Sequence, residues 1–71
     1  MKKIKIETEG ITLNQFLKWA SIVGSGAEAK ELIQAGEVLV NGVVENRRGR
    51  KLKINDIIEL RGSNEKYQVS R

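Results

Sequence analysis

The segment Asn46-Arg47-Arg48-Gly49-Arg50-Lys51-Leu52-Lys53 holds five cations and no acid in eight residues. An Arg guanidinium is a planar fork that donates two hydrogen bonds to one phosphate, Lys adds a mobile point charge, and Gly49 lets the backbone come close to a ligand. Such a run captures a polyanion by touching several phosphates at once. The chain carries 13 Lys+Arg against 9 Asp+Glu, a net charge of +4, so taking away these five leaves −1 on everything else. The bland alternatives are a solvated, self-repelling loop or an edge strand guarded from aggregation by its charge. A nuclear-localisation reading of the same run has no further support in the sequence.

Other candidate chemistry falls away. The chain has no His, Cys or Pro, which removes imidazole and thiolate catalysis, Cys/His metal sites and disulfides. Gly24-Ser25-Gly26-Ala27-Glu28-Ala29 matches the G-x-G-x-x-A form of the dinucleotide fingerprint, but it follows a predicted helix instead of a strand, and 71 residues leave no room for the doubly wound fold. Its glycines serve better to stop one helix and start the next, although the amides that follow Ser25 can still receive a phosphate. Glu28 and Glu31 sit on adjacent helical turns with no nucleophile or apolar pocket beside them, so capping and solvation account for both. No catalytic constellation, metal site or cofactor is expected.

The elements that must position the basic run are legible in the period of the apolar residues. Ile4 and Ile6 alternate with Lys3, Lys5 and Glu7 as in a short strand, which Gly10 ends. Thr12 and Gln15 form a T-x-x-Q capping box, and Leu13, Phe16, Leu17 and Ala20 follow at helical spacing. Trp19 flanks that stripe and is expected to pack at the edge of the core in preference to stacking on a base, while Lys18 points away from it. Gly24-Ser25-Gly26 is read as the end of this first helix, and Ser25 with Glu28 as a second capping box. The second helix buries Ala29, Leu32 and Ile33, turns Lys30, Glu31 and Gln34 outward, and stops at Gly36.

From Glu37 the period changes to two. Val38 and Val40 lead into Asn41-Gly42, the strongest short hairpin signal, followed by Val43-Val44. Leu52 and Ile54 alternating with Lys51 and Lys53 predict a strand, Asn55-Asp56 a turn, and Ile57-Ile58-Glu59-Leu60 a further strand. Gly62-Ser63-Asn64 turns the chain again before a last strand over Lys66-Tyr67-Gln68-Val69, which can pair with its neighbour or with the N-terminal strand.

Apolar residues at 39% and charged residues at 31% describe a folding chain. Its length predicts one domain over residues 1–71, burying only ~60% of the surface its unfolded chain exposes. The longest apolar run, Val38-Leu39-Val40, is far short of the ~20 residues of a membrane span, and Met1-Lys2-Lys3-Ile4-Lys5-Ile6-Glu7 lacks the apolar stretch of a secretory signal. A cytoplasmic monomer is the expectation.

A helix pair with Ala29-Lys30-Glu31-Leu32-Ile33-Gln34-Ala35-Gly36-Glu37-Val38-Leu39-Val40-Asn41-Gly42 leading into a hairpin resembles the alpha-L RNA-binding motif, the "S-four" domain named after a small-subunit ribosomal protein. The match runs from about Thr12 to Leu60. Its A-x-x-L-I-x-x-G-x-V-x-V-N-G pattern fixes a helix face, its glycine stop and the hairpin turn together. Ser25-Gly26-Ala27-Glu28-Ala29-Lys30 and Glu45-Asn46-Arg47-Arg48-Gly49-Arg50-Lys51 look like the small stand-alone bacterial type. Many members of the wider family begin the first helix with Arg-Leu-Asp, where this chain has Thr12-Leu13-Asn14, and many carry Arg where Gly26 stands.

The resemblance implies an α+β fold, two short packed helices followed by a small, mostly antiparallel sheet with a hairpin. It also implies non-catalytic binding of structured RNA, ribosomal or transfer RNA, in ribosome assembly or translation. The expected RNA-binding residues are Lys30, Arg47, Arg48, Arg50, Lys51 and Lys53, with Ser25 at the second helix start and Asn41 in the turn that positions this surface. Replacing Arg47, Arg48 and Arg50 with Ala is expected to weaken RNA binding and leave thermal unfolding nearly unchanged. The alternative is a protein-interaction module in ribosome-associated assembly or quality control, docking through Trp19, Ile22 or Leu39.

Overall fold

The computed structural model describes residues 1–71. Its elements run β1 (Lys2–Lys5), α1 (Leu13–Trp19), α2 (Gly26–Gln34), β2 (Val38–Val40), β3 (Val43–Val44), β4 (Ile57–Leu60) and β5 (Lys66–Ser70). The five strands form one sheet in the order β1-β5-β4-β2-β3, parallel between β1 and β5 and antiparallel elsewhere. This is the expected α+β arrangement. The last strand pairs with both of its candidates, β4 on one side and β1 on the other.

Register explains which side of the sheet is apolar. Val40 stands opposite Ile58, Ile58 opposite Tyr67, Val38 opposite Leu60, and Val69 beside Ile4. Because side chains alternate along each strand, these residues share one face. That face joins Leu13, Phe16 and Leu17 of α1 and Ala29 and Ile33 of α2 in a single buried cluster. Burying one such side chain contributes roughly 1.5–3 kcal/mol.

The ends of the elements show where local chemistry wins. The capping box of α1 is complete: Gln15 N donates to Thr12 Oγ1 at 3.3 Å, and Thr12 N donates to Gln15 Oε1 at 3.0 Å. At α2, Ser25 Oγ accepts from Glu28 N at 3.1 Å, but the Glu28 carboxylate takes the Gly24 amide instead of the Ser25 amide, so the expected second box is only half formed. The hairpin turn puts Asn41 and Gly42 at φ of 53° and 83°, the left-handed pair that a two-residue connection demands. Gly36, at φ 74°, closes α2 as predicted.

Three further expectations are corrected. The first helix ends at Trp19, not at Gly24-Ser25-Gly26, because Ser21 enters the left-handed region at φ 58° and the chain then dips so that Val23 joins the core. Trp19 is covered less than packing at the core edge implies, with 51% of it exposed. The predicted strand over residues 51–54 is reduced to one bridge between Lys51 and Thr12. Its alternation is real, since Leu52 is buried, but the partner chain turns into α1 directly after Thr12 and the ladder has nothing further to pair with.

Candidate nucleic-acid interface

The organising residue of the basic run is the acid that precedes it. Glu45 N donates to the carbonyl of Val38 in β2 at 3.0 Å, which fixes the residue against the sheet, and Glu45 is the one charged residue that is buried. Its Oε2 accepts from Arg47 N at 3.0 Å and Arg47 Nε at 3.1 Å, while Oε1 accepts from Arg47 Nη2 at 3.2 Å and Arg50 Nη1 at 3.0 Å. A carboxylate with four charge-assisted or backbone donors is held ionised. Chiefly through the Arg47 side-chain hydrogen bonds, and against the opposing effect of burial, its pKa drops from 4.5 to about 2. Both guanidiniums are thereby oriented, and the Arg47 side chain still exposes 76% of its surface.

The backbone of the same segment is fastened to α1. Leu13 N donates to Arg50 O at 2.8 Å and Asn14 N donates to Arg48 O at 3.0 Å. These are first-turn amides that a helix leaves without internal partners, so the basic loop serves as part of the α1 N-terminal cap. Arg50 N closes onto Arg47 O at 3.2 Å, a tight turn around Gly49. On the far side, Lys53 N donates to Asp56 Oδ2 at 2.7 Å, and Asp56 Oδ1 accepts from Asn41 Nδ2 at 3.0 Å.

The helices complete the surface. A Cβ added at Gly26 would lie 3.7 Å from Asn14 Nδ2 and 3.8 Å from Lys18 Cδ, so the start of α2 sits close against the α1 flank that carries the loop. Asn14 Oδ1 is buried here without a donor, an arrangement that costs roughly 1–3 kcal/mol. Lys30 lies four residues beyond Gly26 and is exposed, hence on the same side of α2.

The predicted site cations fall into two sets. Arg48, Lys51, Lys53 and Lys30 are exposed cations without an ion-pair partner, whereas Arg47 and Arg50 each pair with Glu45. Ser25 is engaged as the α2 cap through its Oγ lone pair. Asn41 is a clamp: besides its bond to Asp56, its Oδ1 accepts from Ile57 N at 2.9 Å, so both ends of its amide are engaged in the fold. Sequence reading missed Glu45, though an acid two residues before Arg47 and five before Arg50 was a signal. It also left out Lys18, whose i+4 relation to Asn14 places it on the same helical side.

No group of three or more His, Cys, Asp or Glu is arranged to hold a metal ion, and no helix is long and apolar enough to cross a membrane. Comparison with known proteins adds two findings. A family model described as the S4 domain matches residues 4–70. A protein of Bacillus subtilis (strain 168) named "Probable ribosome maturation protein RlbA" is 52% identical over 59 residues, covering 83% of each chain.

Proposed function

Because this chain belongs to the S4 domain family, matched over residues 4–70, we propose that it is a non-catalytic module that docks on structured RNA of a ribosomal particle or its precursor. The observation that carries this reading is the buried Glu45 gripping Arg47 and Arg50 in a loop whose backbone is bonded to α1. Two guanidiniums held in place meet phosphates with less side-chain entropy to lose than free ones. Arg48, Lys51, Lys53 and Lys30 add unpaired positive charge around them. The ribosome maturation named for the Bacillus subtilis relative supports ribosomal RNA over transfer RNA as the partner.

Recognition by phosphate position and helix shape suits this surface, because duplex RNA hides its base edges in a deep, narrow major groove. With three to five phosphates contacted, the logarithm of affinity falls against log salt with a slope of about −2 to −4. Titration of a labelled ribosomal RNA stem-loop at several salt concentrations measures that slope; no binding, or salt-independent binding, overturns the reading. Sedimentation with ribosomal particles before and after ribonuclease treatment tests the protein-interaction alternative, which requires association to survive loss of the RNA.

A further inference from the structure

Trp19 is the chain's single tryptophan, and it is half-exposed on the α1 flank next to Lys18. Its indole Nε1 donates to the carbonyl of Lys5 at 2.7 Å. That bond ties α1 to the end of β1, satisfies the ring's only polar group and fixes the ring's orientation. The bond anchors one edge of the ring to the fold while about half of its surface faces solvent.

Two adjoining depressions share Thr8, Ile11 and Trp19. The first, of about 380 Å³, is completed by Gln15 and Lys18, and the second, of about 240 Å³, by Glu7. One depression beside the ring is thus bordered by a cation and the other by an anion. Lys18 also borders the close approach of Gly26 to α1, so the first depression is continuous with the proposed RNA surface. Gln15 has its Oε1 engaged in the α1 cap, which leaves its amide N–H donors free.

We infer that Trp19 is a stacking site for one unpaired nucleobase of the bound RNA. The phosphate of that nucleotide lies at Lys18, and the base lies over the indole with its edge toward Glu7. A phosphate is repelled by Glu7, so the polarity of the site sets the direction of the nucleotide. A base on an aromatic face is attracted whatever its identity, because every base has a π-face. The inference rests on the RNA-binding reading but adds a strand feature that reading does not need, an unpaired base next to a duplex.

The test pairs two RNAs, a stem-loop with one bulged purine and the same stem fully paired, with wild type, Trp19→Leu and Trp19→Phe. The expected results are quenching of Trp19 fluorescence by the bulged RNA only, and a loss of roughly 5- to 150-fold in its affinity in Trp19→Leu. Trp19→Phe, which keeps a π-face but loses the bond to Lys5, should retain more affinity for the bulged RNA than Trp19→Leu. Equal affinity loss for both RNAs, or no loss for either, overturns the stacking site while leaving RNA binding standing. Failure of wild type to bind either RNA overturns both readings.

Discussion

Two regions of this molecule are dense in cations, and they are built differently. β1 carries Lys2, Lys3 and Lys5 on an edge strand paired on one side only, with exposed side chains and no acid paired to them. The loop from Arg47 to Lys53 has its backbone bonded to α1, its first and third arginines bonded to a buried carboxylate, and its far end tied to Asp56. Flexible lysines on a sheet edge are the usual protection against strand addition. The loop spends a buried anion to hold two forks still, which edge protection does not require. Charge count alone does not separate the two regions; fixation does.

The largest expected effect comes from dismantling the loop's forks. Replacing Arg47, Arg48 and Arg50 with Ala should weaken stem-loop RNA binding by about 100-fold or more, since each charged hydrogen bond contributes roughly 1.5–3 kcal/mol. Thermal unfolding should not stay unchanged, contrary to the expectation from sequence, because Glu45 loses both guanidinium partners and keeps only the residue 47 amide. Water reaching the carboxylate limits the cost to roughly 1–3 kcal/mol, a fall in Tm of about 7–20 °C by calorimetry. Unaltered Tm would mean that Glu45 is not held by the arginines.

Next in size is Glu45→Gln, which raises the net charge by one and separates fixation from charge. If fixation matters, affinity for the stem-loop falls about 3- to 10-fold although the protein becomes more positive. A rise in affinity would erase the distinction between loop and strand. The same variant has a pH signature. The Glu45 pKa is depressed, from 4.5 to about 2, so its contribution is complete above the unfolded value and is lost as pH falls from about 4.5 through about 2. Wild type should exceed Glu45→Gln by roughly 1–3 kcal/mol at pH 7 in denaturant unfolding, discounted for the exposed Arg47 end, with the gap closing across that acid window.

The smallest effect is expected at the strand. Lys2, Lys3 and Lys5 changed together to Gln should leave stem-loop affinity within about 3-fold and the salt slope unchanged. A slope reduced by about two or more would make β1 part of the RNA surface.

Much of this was legible from local patterns. The Thr12/Gln15 cap, the Asn41-Gly42 turn and the Gly36 stop depend on residues within four positions of one another, so spacing alone specifies them. The segment from Lys51 to Ile54 misled because alternation reports which side chains are buried, not whether a neighbouring strand exists to be paired. Trp19 was misplaced for a related reason: a helical stripe sets the angle of a side chain but not how far the opposing surface extends to cover it.

Residue types and spacing by themselves determined the two helices, the hairpin and the concentration of positive charge in one run, since each follows from contacts over a few residues. Only the tertiary structure decided what that charge can do. Glu45 is buried because β2 holds its backbone, α1 supplies the amides that anchor Arg48 and Arg50, and the end of β1 supplies the carbonyl that fixes Trp19. Those partners are brought together by packing between segments far apart in the chain, and no local pattern records distance across a core.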